Sequence, residues 1–122
     1  MVISMSRKLA RIKTVNLEEG MPTVEQARLR MHNELHKARA EGCIAVKLIH
    51  GYGSSGVGGV LRVELQKEMR KAVTQGTIKG FIAGEEWRIS NETTWALLKR
   101  FPEWKSDSDI GRGNQGISLI VL

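Results

Sequence analysis

A short apolar segment near the middle of the chain constrains the fold more than any other feature. Residues 45–50 (AVKLIH) are mostly apolar and do not alternate regularly with polar residues. A strand that is buried on both faces is typical of a parallel sheet covered by helices. Directly after it, residues 51–59 contain 5 glycines. The segment therefore predicts a buried central strand that ends in a glycine-rich turn.

Two amphipathic helices flank this strand in the sequence. Before it, Thr23 and Gln26 have the spacing of a capping box, and apolar residues then follow at steps of three or four as far as residues 41–42. After the glycines, a second apolar stripe predicts a helix that ends near residues 75–76. The stripes consist of Val24, Ala27, Met31, Leu35 and Ala38 in the first helix and of Leu61, Leu65, Met69 and Ala72 in the second.

Three further strands complete the predicted order of elements. They lie at residues 12–17, 81–83 and 117–122. We predict one α/β domain, a two-layer or sandwich βαβαββ structure with a mixed sheet, whose first two strands are parallel and joined by a right-handed crossover. Residues 90–109 form a predicted ordered insertion, with a short helix capped by Asn91 or Thr93 and carrying Trp95 and Leu98 on one side.

The charge of the chain is concentrated at its start. With 122 residues, the chain has room for one ordinary core. The net charge is +6, but Arg7, Lys8, Arg11 and Lys13 supply four of the basic residues, which leaves 15 basic and 13 acidic residues in the rest. We therefore predict a basic N-terminal tail at residues 1–13, which attracts phosphate, and a nearly neutral domain at residues 14–122.

Two absences in the sequence limit the class of protein. The N-terminal residues contain no apolar run of the length of a signal peptide or membrane span, which predicts a cytoplasmic protein with no membrane partner. Cys43 is the only cysteine, which excludes an internal disulfide and a multi-cysteine zinc site. We expect its thiol to be buried as a small apolar group.

The glycine-rich stretch is suited to a phosphate, because glycines let backbone N–H groups turn toward an anion at the start of a helix. It matches G-x-G-x-x-G literally, but the expected helix does not open at the third glycine, and Val57-Gly58 stands where a P-loop requires Lys-Ser/Thr. We therefore predict phosphate binding without a dinucleotide or NTPase fold. The alternative is a glycine-rich connection without a ligand. The predicted phosphate-binding residues are Gly51, Tyr52, Gly53, Ser54, Ser55, Gly56, Gly58 and Gly59.

Other polar residues are expected at the same edge of the sheet. Parallel first and second strands bring Glu18 and Glu19 toward His50. An antiparallel third and fourth pair brings residues 84–86 (Gly-Glu-Glu) there, together with Arg112 and Asn114 as phosphate-binding candidates. His50 has two interpretations. It is a general acid or base beside the loop, or a structural histidine that ties the turn to a backbone carbonyl.

The motifs resemble those of the small MutS-related (Smr) domain family. His50-Gly51-Tyr52-Gly53 matches the family's HGxG motif, and residues 116–122 are similar to its closing glycine and strand. The family's LDxHG motif aligns with residues 15–20, where Asn16 replaces the aspartate and Glu18 or Glu19 replaces the histidine. The resemblance implies nucleic-acid binding, nicking or endonuclease activity on DNA or RNA, and a fold similar to the C-terminal domain of a translation initiation factor.

From these observations we expect a nucleic-acid-binding Smr-like domain with weak DNA- or RNA-nicking activity. His50, Glu18 and Glu19 are the catalytic candidates, and binding is the better supported part because the first motif is altered. No metal site is assigned, although a divalent cation held by these three residues is an open variant. The alternative function is a noncatalytic interaction module that binds a protein partner or a phosphorylated ligand through the glycine loop.

Overall fold

The computed structural model describes residues 11–52 and 57–122, and these ranges contain four strands and three α-helices. Two short 3₁₀ segments, Gly84–Glu86 and Pro102–Ser106, flank the last helix. In chain order, the elements are β1 (Ile12–Asn16), α1 (Val24–Ala40), β2 (Ala45–Ile49), α2 (Val57–Gln75), β3 (Gly80–Ala83), α3 (Glu92–Arg100) and β4 (Ile117–Val121).

The four strands form one mixed sheet in the order β1-β2-β4-β3. β1 and β2 are parallel, whereas β4 runs antiparallel to both β2 and β3, so the predicted mixed α/β sheet is confirmed. Asn16 pairs with Ile49, and Ile49 pairs with Ile117, so the ends of β1 and β2 meet the start of β4. The turns after β1, β2 and β3 therefore lie at the same edge of the sheet as the turn before β4.

One face of the sheet is covered by α1 and α2. Thr23 and Gln26 form the predicted capping box, in which the Gln26 N–H donates to Thr23 Oγ1 at 3.1 Å and the Thr23 N–H donates to Gln26 Oε1 at 2.9 Å. The two predicted stripes are confirmed as the packed faces of the helices. Their buried residues are Ala27, Met31, Leu35 and Ala38 in α1 and Leu61, Leu65, Met69 and Ala72 in α2, and they share a core with Val46, Leu48 and Ile120.

The insertion at residues 90–109 and the segment before it cover the second face. Trp87, Leu98 and Trp104 are buried in a second core with strand residues of β2, β3 and β4. Asn91 is the cap of α3, because its Oδ1 accepts from the Thr94 N–H at 3.0 Å. Trp95 is 40% exposed, so only Leu98 of the predicted pair faces the core. The insertion therefore explains why the central strand is apolar on both faces.

A buried ion cluster fastens the end of the insertion to the central strand. Lys47 of β2 is 5% exposed, and its Nζ donates to both carboxylate oxygens of Asp107 at 2.8 and 2.9 Å and to Asp109 Oδ2 at 2.7 Å. The Trp87 indole N–H also donates to Asp107, at 3.0 Å. Burial lowers the pKa of Lys47, but its hydrogen bonds to the two aspartates outweigh burial and raise that pKa above its ordinary value.

The connection between β2 and α2 is shorter than the sequence predicts. α2 begins at Val57, directly after Gly56, so Gly58 and Gly59 lie in its first turn rather than in the loop. The expectation that no helix opens at the third glycine is therefore wrong. Gly58 and Gly59 do not continue an apolar stripe, so the sequence pattern did not mark the first turn of this helix. A dinucleotide fold is still excluded, because β4 lies antiparallel between β2 and β3.

Only part of the predicted basic tail can be compared with the structure. Residues 1–10, which include Arg7 and Lys8, lie outside the described residues. Lys13 lies within β1, and its Nζ forms ion pairs with Glu34 at 3.4 Å and Glu41 at 3.0 Å. In residues 11–52 and 57–122, no helix has both the length and the apolar character required to cross a membrane.

Replacing Lys47 should destabilise the protein strongly. Lys47→Ala leaves two largely buried carboxylates without their cation, so we expect the free energy of unfolding to fall by about 3 kcal/mol. Urea unfolding followed by tryptophan fluorescence measures this loss. Lys67→Ala is the matched control, because its ion pair with Glu64 is mostly exposed and should contribute less than about 1 kcal/mol. Equal losses in the two variants would contradict the structural role of the cluster.

Candidate nucleic-acid interface

Backbone hydrogen bonds hold the turns together at the edge where β1 and β2 end. The N–H groups of His50 and Gly51 both donate to the Gly116 carbonyl, at 2.9 and 3.0 Å. The Leu17 N–H donates to the Ile49 carbonyl at 2.8 Å. The turn that follows β2 is therefore attached to the residue that precedes β4 and lies beside the turn that follows β1.

Gly51 is required by its conformation and by its neighbour. Its φ of +75° lies in the left-handed region that favours glycine, and a Cβ at this position would overlap the Glu18 carboxylate. Glu18 is held by the turn after β1, where its N–H donates to Asn16 Oδ1 at 2.9 Å. The structure thus brings Glu18 against the glycine that follows His50, as the parallel pairing of β1 and β2 predicts.

The His50 ring is fully buried, and both of its nitrogens have partners. Nδ1 lies 2.7 Å from the Gly51 carbonyl oxygen, which can only accept, so Nδ1 carries the proton. Nε2 then accepts from the Ser118 hydroxyl at 2.9 Å, and the Gln66 amide donates to the same hydroxyl at 3.3 Å. This geometry is that of a histidine tying the turn to a backbone carbonyl, and it leaves neither ring nitrogen free for a phosphate.

The environment keeps the His50 imidazole neutral. Burial lowers the pKa of His50 below its ordinary value of 6.5, and the positive charge of Arg62 lowers it further. The hydrogen bond to Gly51 and the charges of Glu18 and Glu85 act in the opposite direction but do not outweigh burial. The ring is therefore a poor proton donor toward a substrate near neutral pH.

Arg62 and Glu85 belong to this site. The antiparallel pairing of β3 and β4 predicts Glu85 at this edge, whereas sequence reasoning did not identify Arg62. Arg62 Nη2 lies 2.8 Å from Glu85 Oε2, while Arg62 Nε and Glu85 Oε1 are buried without a hydrogen-bond partner among the described residues. Both charges act on the His50 ring. One signal was available in the sequence, since Arg62 and Gln66 are four residues apart and border the apolar stripe of α2.

The turn at residues 111–116 lies at the same edge, but the amide side chain of Asn114 forms its hydrogen bonds within the chain. Asn114 donates to Asp109 Oδ1 at 3.1 Å and accepts from the Gly116 N–H at 2.9 Å. A Cβ on Gly84 would overlap the Asn114 carbonyl oxygen, which shows how closely the turn after β3 approaches. Arg112 is exposed and acts on Asp109 rather than on His50. Burial raises the pKa of Asp109, but the hydrogen bonds from Lys47 and Asn114 and the charges of Lys47 and Arg112 together lower it below its ordinary value.

The remaining predicted site residues are distributed unequally. Tyr52 is 56% exposed beside Gly116, and Gly53, Ser54, Ser55 and Gly56 lie outside the described residues. Glu19 is exposed and lines a separate hollow with Arg30 and Glu34 at the outer edge of β1. Among the described residues, no three His, Cys, Asp or Glu side chains converge as metal ligands.

The buried state of His50 predicts a dependence of stability on pH. Because its pKa is lower in the folded than in the unfolded chain, this contribution is present above the unfolded value of 6.5 and decreases as pH falls below it. We expect the free energy of unfolding to decrease between about pH 7.5 and about pH 5.5, and His50→Gln to remove this part of the decrease. Urea unfolding at both pH values measures it.

His32→Gln is the control for this experiment, because His32 lies exposed on α1. It should retain the pH dependence of the wild-type protein. A pH dependence that persists in His50→Gln would mean that another group is responsible.

Comparison with known proteins identifies the family and the fold of the chain. The family model of the Smr domain matches residues 19–99. The chain is also similar to the crystal structure of the Smr domain of Thermus thermophilus MutS2, with a TM-score of 0.55 and 23% sequence identity over 90% of this chain and 96% of that one. No curated protein sequence matches the chain. The structural similarity shows the fold, and the family match covers more than half of the sequence, so the chain belongs to the Smr domain family.

Proposed function

We propose that this chain binds the phosphate backbone of nucleic acid at the edge of the sheet where β1 and β2 end. The observation that carries the proposal is a fixed glycine turn, Gly51-Tyr52, near the Arg62 guanidinium, whose side chain is 26% exposed and whose charge reaches the His50 ring. Backbone N–H groups and a guanidinium are the common protein ligands of phosphate. Membership in the Smr family, which is known for nucleic-acid binding and nicking, supports the same function.

The charges around the turn limit where a phosphate can lie. Glu18 lies against Gly51 and Glu85 pairs with Arg62, so both the turn and the cation have a carboxylate beside them. A phosphate would therefore lie along the first turn of α2, whose amide groups carry partial positive charge. With so few cations at the site, we expect affinity in the micromolar range that weakens as salt rises, because phosphate neutralisation releases counterions.

Any cleavage by this site should be slow. Both ring nitrogens of His50 are engaged, so the imidazole would contribute by holding the turn rather than by transferring a proton. The Glu18 carboxylate is the group at the turn that can accept a proton from water, and Arg62 would stabilise the charge that develops on the phosphate. We therefore propose a weak nicking activity with Glu18 as its base.

A noncatalytic module that binds without cleaving is the second candidate. One observation favours it, namely that the histidine beside the loop is neutral, buried and satisfied on both nitrogens. Its occupant through the same turn would be a protein partner or a phosphorylated ligand. The two functions differ in the outcome of a nicking assay.

Arg62 and Glu85 should have opposite effects on binding. Arg62→Ala removes the cation and should weaken affinity about tenfold and reduce the salt slope by about 1. Glu85→Gln removes a negative charge beside Arg62 and should strengthen binding. Fluorescence anisotropy with short DNA and RNA duplexes, hairpins and single strands at several salt concentrations measures both effects.

The double variant Arg62→Ala/Glu85→Gln separates lost binding from the destabilisation that an unpaired Glu85 would cause. Lys71→Ala is the matched control, because Lys71 is exposed on the same helix but lies away from the turn. Unchanged affinity in Arg62→Ala, with Arg112→Ala weakened instead, would place the phosphate on the turn at residues 111–116.

Cleavage should depend on Glu18 and His50. With supercoiled plasmid and structured RNA, in magnesium, manganese or chelator, we expect slow nicking that is lost in Glu18→Gln and in His50→Ala. Glu19→Gln and His32→Ala should nick as the wild type does, because neither side chain lies at the turn. Full activity in Glu18→Gln would contradict its role as base. Intact binding with no nicking by any form would support the noncatalytic module.

A further inference from the structure

The outer strands β1 and β3 form the two lateral edges of the sheet, and the β3 edge carries a groove that the proposed nucleic-acid site does not use. β3 is the last strand in the order β1-β2-β4-β3, and in the described chain no strand pairs with its outer side. A cavity of about 700 Å³ lies along this edge, with residues of both α2 and α3 in its lining. Alternate backbone N–H and C=O groups of an edge strand point outward and are free to pair with another extended chain.

The groove combines an apolar lining with unpaired positive charge. Val73, Phe81 and Leu97 contribute apolar surface. Among the residues that the structure describes, the charged ones that line the groove are Arg70, Lys79 and Arg100, and none is a carboxylate. None of the three cations forms an ion pair with a carboxylate of the described residues. Three like charges without counter-charges create a positive potential that favours an acidic ligand.

The lateral edge formed by β1 has a different balance of charge. On β1, Lys13 is paired with Glu34 and Glu41, and the adjoining hollow contains the carboxylates of Glu19 and Glu34. Its charges are therefore balanced within the chain. The cations Lys13 and Arg30 at the β1 edge thus share their hollow with two carboxylates, whereas the groove at the β3 edge has none among the described residues.

We propose that an extended acidic segment of a partner protein binds in this groove and adds to β3 as a further strand. Its backbone would pair with the outer groups of β3, and alternate side chains would contact the apolar lining and the three cations. The four residues of β3 span about 13 Å, which accommodates four to five residues of a peptide. The sheet would thereby extend to five strands.

Two other occupants fit the groove less well. A second copy of the chain, paired through β3, would bring Arg70, Lys79 and Arg100 against the same cations, which opposes self-association. A nucleic acid has no backbone N–H and C=O groups to pair with an edge strand. The acidic peptide is the occupant that satisfies both the charge and the open backbone groups.

The test uses three eight-residue peptides and the full chain labelled with ¹⁵N. The first alternates glutamate and valine, the second replaces each glutamate with lysine, and the third is the acidic peptide with alternate backbone nitrogens methylated. We expect the acidic peptide to shift the amide resonances of residues 79–83. The lysine and methylated peptides should bind at least about tenfold more weakly, because one lacks the charge and the other lacks the strand donors.

Charge reversal on the protein provides the matched comparison. Arg70→Glu/Lys79→Glu should reduce the affinity for the acidic peptide at least about tenfold, whereas Lys71→Glu/Lys99→Glu, at exposed positions of α2 and α3 outside the groove, should retain most of it. Both double variants change the net charge equally, so a difference between them reports the groove. Circular dichroism verifies that both are folded.

Three results would overturn the proposal. The first is an absence of shifts at residues 79–83, or equal binding of the acidic and lysine peptides. The second is concentration-dependent dimerisation that shifts these amides without peptide, which would make a second copy the occupant. The third is a single-stranded RNA that shifts the same amides at lower concentration than the acidic peptide does. The proposal does not depend on nucleic-acid binding at the Gly51 turn.

Discussion

The buried imidazole of His50 determines the position of the turn on which the candidate site depends. It joins the end of β2 to Ser118 of β4 through one nitrogen and holds the Gly51 carbonyl through the other. Gly51 itself adopts a positive φ against the Glu18 carboxylate, so the turn has little room to adopt another conformation. A histidine that is inaccessible to a ligand thus fixes the backbone that a ligand would meet. Removing it would leave the Gly51 carbonyl without its side-chain donor and the Ser118 hydroxyl without its acceptor in a buried site.

The sequence predicted the features that depend on local pattern. The apolar stripes of the two long helices, the capping box at Thr23 and the mixed sheet follow from periodicity and spacing, and all are present. The pairs that were missed join residues far apart in the chain. Lys47 and Asp107 are separated by 60 residues, and Arg62 and Glu85 by 23. No periodicity marks such pairs, because only the folded topology brings them together.

The charges at the site bear differently on the two parts of the proposed function, nucleic-acid binding and cleavage. The turn after β1 presents Glu18 against Gly51, and Glu85 adds a second carboxylate beside Arg62. Each carboxylate positions its neighbour but repels a phosphate, so the net attraction of the site is small. A neutral His50 cannot compensate for this repulsion. The arrangement therefore favours an interface that holds a nucleic-acid backbone loosely over one built for rapid phosphodiester hydrolysis.

The insertion supports the site as well as the fold. Asp109 accepts from Lys47 of the central strand and from Asn114, whose Oδ1 holds the Gly116 N–H. The Gly116 carbonyl in turn accepts from the N–H groups of His50 and Gly51. A continuous path of hydrogen bonds, joined through the Asp109 and Asn114 side chains and the Gly116 backbone, therefore leads from the buried lysine to the glycine turn. The same insertion contributes α3 to the groove beside β3. One segment therefore supports both the glycine turn and the groove, and a change in its packing would affect the two surfaces together.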